Sequence, residues 1–123
     1  MLYAILCYDD EAAVESWSKE EEQAVLGKRQ SVQQKLAAEG RLGPVARLMP
    51  TTAATTVRDG REPLVIDGPF AETKEQLLGF YIVDCPTLEN AIETARQLKS
   101  GEAGGALEIR PMRLFRPASG PAP

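Results

Sequence analysis

Two aspartates each stand where an apolar run ends, and they are the first residues of this chain that could move a proton. Asp9 follows the run Leu2 to Tyr8. Asp67 follows Pro63 to Ile66 and opens the stretch Asp67-Gly68-Pro69-Phe70-Ala71-Glu72-Thr73-Lys74-Glu75. Both are expected to end strands of one sheet and so to converge at one end of it, where a desolvated carboxylate has its pKa raised and suits the part of general base; Asp9 and Asp67 are therefore the catalytic candidates. An aspartate at a turn usually accepts the N–H two residues on, but Pro69 has none. Asp67 must therefore find another partner: the N–H of Phe70, an arginine, water or a ligand. Pro69 should push Gly68 toward an extended conformation. Phe70 is the expected anchor of the loop, on a core or on a neighbouring subunit. Four ionisable groups, Asp67, Glu72, Lys74 and Glu75, fall within these nine residues, which makes the loop as good a candidate pocket lining as a solvated turn.

The chain has no histidine. That removes the usual base of a Ser-His or Cys-His system and the commonest transition-metal ligand. Asp9, Asp10, Asp67 and Glu72 could hold a hard cation, but they lack a spaced ligand motif, so neither a metal nor another cofactor is expected. Cys7 lies inside an apolar run and reads as core. Lys74 sits between glutamates and reads as a solvated ion pair. Tyr3, Tyr8 and Tyr81 could donate hydrogen bonds into a cavity. Arg58 and Arg110 lie near strand ends and suit either an anionic ligand or cross-strand pairing with Glu72 and Glu108.

The elements that must position these residues follow from periodicity. Leu2 to Tyr8 reads as a central strand. Ser18-Lys19-Glu20-Glu21 has the form of a capping box and opens a helix to about Glu39, with Val25, Val32 and Leu36 on one face and Gly40 as its stop. Arg41 to Met49 reads as a second strand, interrupted at Gly43-Pro44. Thr51 to Val57 and Pro63 to Ile66 form a hairpin about Arg58-Asp59-Gly60. Leu77 to Val83 is the next strand, with Leu78, Phe80 and Ile82 on one side and Tyr81 and Val83 on the other. Thr87 caps a second helix whose Leu88, Ala91, Ile92, Ala95 and Leu98 share a face. The segment Gly101 to Gly105 separates it from a last strand, Ala106 to Leu114. The order is a split βαβ pattern with an extra hairpin. Its two helices cover one face of an antiparallel sheet; Tyr81, Val83 and the apolar residues of the first strand make the other face apolar too, and a second copy of the chain is the simplest cover for it.

Composition bounds the rest. A length of 123 residues fits one domain, expected over residues 1–116 with a disordered Pro- and Gly-rich tail at 117–123. A net charge of -4 and scattered Lys and Arg argue against nucleic acid. No apolar run is long enough to span a membrane, and Cys7 and Cys85 lack CxxC spacing, so the expected place is the reducing cytoplasm.

The run DGPFAETKEQLLGFYIVD, with LYAILCYDDEAA, PTTAATTVRDG and LEIRP, resembles the DGPF branch of the YCII-related proteins, over roughly residues 2 to 114. The resemblance implies a ferredoxin-like α+β protomer that pairs through its sheet face into a dimeric α/β barrel. It implies little about chemistry. In the YciI-like side of that family an aspartate after the first strand works beside a histidine on the first helix. Here Asp9 keeps the aspartate's place and, by ungapped count, Arg29 holds the histidine's. An arginine does not shuttle protons near neutral pH, so an Asp9 and Arg29 pair suits binding an anion or fixing a loop.

Two functions from different classes follow. One is a small-molecule-binding or regulatory module with Asp9, Arg29, Asp67 and Glu72 around a cleft, joined by Arg58, Phe70 and Lys74 as ligand contacts. The other is a cofactor-independent lyase or isomerase on small cyclic or phenolic metabolites, in which Asp9 or Asp67 moves a proton. A purely structural dimer is the third reading.

Overall fold

The computed structural model describes residues 1–60 and 64–118. Pro63, read above as the start of a strand, and most of the 117–123 tail lie outside the described residues. The main sheet has four antiparallel strands: β1 (Leu2–Asp9), β2 (Leu42–Arg47), β5 (Gln76–Asp84) and β6 (Ala106–Pro111), in the order β2-β5-β1-β6. Between β2 and β5 the chain makes a 3₁₀ turn at Thr51–Ala53 and a hairpin of β3 (Thr55–Arg58) and β4 (Leu64–Asp67), which forms a second, two-stranded sheet of its own. The result is a ferredoxin-like α+β fold carrying an extra hairpin.

The strands place their alternate residues as the period of two requires. Tyr3, Ile5 and Cys7 of β1 stand opposite Val83, Tyr81 and Gly79 of β5. With Leu36, Ala91, Ala95 and Leu98 from the helices, these side chains make the core. Tyr81 and Val83 therefore face the helices, and the outer face of the sheet is carried by Ala4, Leu6, Phe80 and Ile82 instead, in paired register. The expectation of a second apolar face holds; the residues that form it are the other alternating set. Ala4, Leu6 and Phe80 are half-buried in the protomer.

Three α-helices are present among the described residues. α2 (Lys19–Ala38) has its capping box: the Ser18 hydroxyl accepts the Glu21 N–H at 3.0 Å, and the Glu21 carboxylate accepts the Ser18 N–H at 3.2 Å. Gly40 stands just beyond its end at φ 69, the left-handed geometry that glycine supplies there. Of its expected apolar face only Leu36 is buried, with Val32 partly so. α3 (Leu88–Lys99) is capped by Thr87 and buries Ala91, Thr94, Ala95 and Leu98. A third, short helix, α1 (Glu11–Glu15), was not evident from periodicity because one and a half turns hold too few apolar residues to show a period; Asp10 caps it.

Gly79 is needed where β2 crosses β5. A Cβ there would run into the Ala46 carbonyl and lie 3.2 Å from the Arg47 Cα, both backbone atoms of the paired strand. Gly79→Ala should therefore cost about 1–3 kcal/mol through overpacking that a strand cannot relieve by rotating a side chain. Urea unfolding followed by circular dichroism is the check, with the midpoint lowered and the slope unchanged.

Candidate functional site

A cavity of about 150 Å³ lies between α2 and the sheet. Its floor is the C-terminal end of β1 with the middle of β5; its walls come from α1, α2 and the loop before β6. Val14, Trp17, Leu26, Val45 and Leu107 make much of the wall apolar. Its charged groups are Asp9, Arg29, Arg47, Lys99 and Glu102, with Tyr8, Gln33, Tyr81 and the Cys7 thiol beside them.

Arg29 does not pair with Asp9. It forms a bidentate pair with Glu102, Nε to Oε2 at 3.1 Å and Nη2 to Oε1 at 2.5 Å. The Glu102 side chain is only 7% exposed and that of Arg29 23%. Burial works against the guanidinium's charge, but the Glu102 carboxylate outweighs it, and the Arg29 pKa rises above its usual value. Asp9 has a local partner instead: the Asp10 N–H donates to its Oδ1 at 2.7 Å.

Glu102 is the residue that sequence reasoning passed over. It lies in Gly101–Gly105, read as a mere separator, yet Gly101, Gly104 and Gly105 at φ 83, 73 and 72 fold that segment back over the end of β1. Lys99 ties it down by donating to the carbonyls of Gly104 and Glu102. The one available signal was an isolated glutamate among glycines, following a helix that ends in lysine.

The thiol and phenol at the floor are held neutral. Burial raises the Cys7 pKa, Arg29 lowers it somewhat, and Glu102 adds to the rise, leaving it at about 11. Burial likewise raises that of Tyr81, against the pull of the Arg29 guanidinium. Cys7 is thus core, as its place in an apolar run indicated, though it also borders the cavity.

The other candidates lie elsewhere. Asp9 and Asp67 were expected to end strands of one sheet and converge; β4 belongs to the separate hairpin, where Asp67 stands opposite Thr55 and lines no cavity with Asp9. The hairpin pairs with itself because its two strands are close neighbours in sequence, while β5 already has β1 and β2 on its edges. Asp67 is exposed and has no hydrogen-bonding side-chain partner among the described residues. Gly68 is not extended but at φ 107. Its N–H donates to the Ala54 carbonyl at 2.7 Å and its own carbonyl accepts the Thr56 hydroxyl at 2.8 Å, closing the hairpin's base.

Phe70 is 74% exposed, so it anchors nothing within the protomer. Arg58 donates to the Phe70 carbonyl at 3.3 Å rather than pairing with Glu72. Glu72 and Lys74 border a second, more polar hollow of about 350 Å³ with Asp10, Glu11, Thr51 and Pro69. There Glu11 is already committed, accepting both the N–H and the hydroxyl of Thr51. The site expected around one cleft is thus two: Asp9 and Arg29 at the first cavity, Glu72 and Lys74 at the second. No cluster of three or more metal-ligating side chains forms among the described residues.

The sequence matches the YCII-related domain over residues 1–116. It is also 52% identical, over 124 residues, to an uncharacterized protein of Rhizobium meliloti (strain 1021), a span that takes in 99% of this chain and 100% of that one.

The raised thiol pKa has a signed consequence. Because the folded Cys7 titrates near 11 against 9.0 for an ordinary thiol, its contribution to stability is complete below about pH 9 and is lost as the pH climbs through 11, with Tyr81 acting in the same direction. Thermal denaturation from pH 8 to 11 should show a falling midpoint, shallower in Cys7→Ala. Alkylation of Cys7 by iodoacetamide at pH 8 should be far slower than that of a free thiol.

Proposed function

We propose, taking as premise that the chain belongs to the YCII-related family, that it is a small-molecule-binding module whose ligand sits over Arg29 and Glu102. The observation that carries this reading is an ion pair buried at the floor of an apolar-walled cavity, beside a thiol and a phenol held neutral. Ligand sites have this make-up: mostly apolar walls and a few polar groups aimed at one point. A cavity of about 150 Å³ is the size that admits a single six-membered ring. Residues 1–116 are the functional domain in this reading, and the tail is not needed.

The catalytic alternative draws less support. Its two carboxylates stand on different sheets, and Cys7, Tyr81 and Arg29 all titrate above their usual values, away from the neutral range that proton transfer favours.

Within the family, Asp67-Gly68-Pro69-Phe70 is the ground for assigning the chain to the DGPF branch. A homodimer through the outer sheet face is supported by Leu6, Phe80 and Ala4, which stand in register there with no helix over them. Exposed Val57, Val65 and Phe70 on the hairpin add apolar surface for such a partner. Two buried free cysteines fit a reducing compartment such as the cytoplasm, and among the described residues no helix is long and apolar enough to cross a membrane.

Trp17 is the chain's one tryptophan and lines the cavity, so its fluorescence reports on that place alone. Thermal-shift screening against small ring-containing metabolites should return compounds that raise the midpoint and also change the Trp17 emission. Stabilising compounds that leave Trp17 untouched would put the ligand elsewhere. For the dimer, light scattering after size exclusion should give twice the mass of the chain for the native protein. Leu6→Glu should give the single mass with an unchanged far-ultraviolet spectrum; a native protein of single mass sinks the pairing.

A further inference from the structure

We infer that the cavity takes an uncharged, ring-sized molecule bearing a carbonyl or amide, and rejects the matching carboxylate. The inference rests on reading this cavity as a ligand site and adds the charge of what enters it.

An arginine at the floor of an apolar cavity ordinarily marks an anion site. Here the guanidinium is already spoken for. Glu102 takes its Nε and one Nη2 hydrogen in a fork, from a carboxylate almost fully out of water. The other cations are committed too. The Lys99 ammonium donates to two carbonyls of the glycine loop, and Arg47 is turned to Glu22 at 3.5 Å. Asp9 adds a negative charge on the strand end, one oxygen accepting the Asp10 N–H.

Asp9 and Glu102 thus match Arg29 and Lys99 in number, and the third cation of the lining, Arg47, faces Glu22 just outside it, so an anion finds each positive group already answered. An entering carboxylate would give up its hydration and meet Glu102 and Asp9 as well as Arg29. A carbonyl or amide oxygen gives up much less, and it meets the guanidinium hydrogens left over by Glu102 and by the Tyr81 hydroxyl, which also bonds Arg29. An amide N–H would further suit the free oxygen of Asp9. The walls of Trp17, Leu26 and Leu107 supply the surface for a ring.

Benzamide and benzoate share a ring and an outline and differ in charge, so they separate the possibilities. The experiment is a titration of the isotopically labelled full chain with each, following the Trp17 indole and Arg29 Nε resonances by NMR. Benzamide should shift both signals and bind at least tenfold more tightly than benzoate. Glu102→Gln, which leaves Arg29 unneutralised, should strengthen benzoate at least tenfold and reverse the order. Benzoate binding as tightly as benzamide to the native chain overturns the charge assignment while leaving the cavity a ligand site. If neither probe moves either resonance, the ligand-site reading falls, and this inference with it. The native pair decides the matter even where Glu102→Gln does not fold.

Discussion

The buried fork between Arg29 and Glu102 is the contact on which the shape of this molecule turns. α2 is twenty residues long and buries only Leu36, so for most of its length it has no apolar stripe to hold it on the sheet. Its C-terminal end is fixed by Leu36 and by the turn at Gly40, and just beyond it Arg41 donates to the Asp84 carbonyl and the Cys85 sulfur. Its middle is tied through Arg29 to a glycine loop from the far end of the chain. A polar tether leaves a gap, and the gap is the cavity. Such a tether is asymmetric in energy: the pair gains little over an apolar substitute, but removing one member strands a charge.

The sheet sets the second constraint. Four strands with period-two alternation make two apolar faces, and the helices cover only the one bearing Tyr3, Ile5, Tyr81 and Val83. The close approach of Gly79 to the backbone of β2 keeps that strand tight on β5 and brings Val45 and Ala46 to the cavity's edge. The same pairing therefore shapes the inner cavity and sets Ala4, Leu6, Phe80 and Ile82 together on the outer face. Cavity and outer face are two consequences of one sheet, reached from opposite sides.

Much of this was legible in the residues. The Ser18 and Thr87 caps, the break at Gly43-Pro44 and the six strands depend on neighbours within a few positions, where sequence carries the physics directly. What escaped depends on contacts across the chain. Arg29 and Glu102 are 73 residues apart, and no local pattern couples an arginine in a helix to a glutamate among glycines. The separation of Asp9 from Asp67 escaped for a related reason. Both close an apolar run, but whether a hairpin adds to the main sheet or pairs with itself is decided by which strand edges are free, and β5 was already flanked by β1 and β2. The assignment of faces also slipped, because in β5 the residues on both sides are apolar and alternation alone does not say which side the helices take.

The absence of histidine takes on a definite meaning once the cavity is built. Cys7 titrates near 11, Tyr81 above its usual value and Arg29 higher still, so these three groups keep one charge state throughout the neutral range. An enzyme that moves protons at pH 7 needs a group that changes state there. A binding site needs the opposite, donors and acceptors that stay as they are while a ligand comes and goes. Where a histidine would have put a titrating group on α2, this chain has an arginine, and it has spent that arginine on a glutamate. On the binding reading proposed above, the arrangement suits holding a molecule over transforming it, and the neutralised pair would make size and hydrogen bonding, rather than net charge, the basis on which that molecule is chosen.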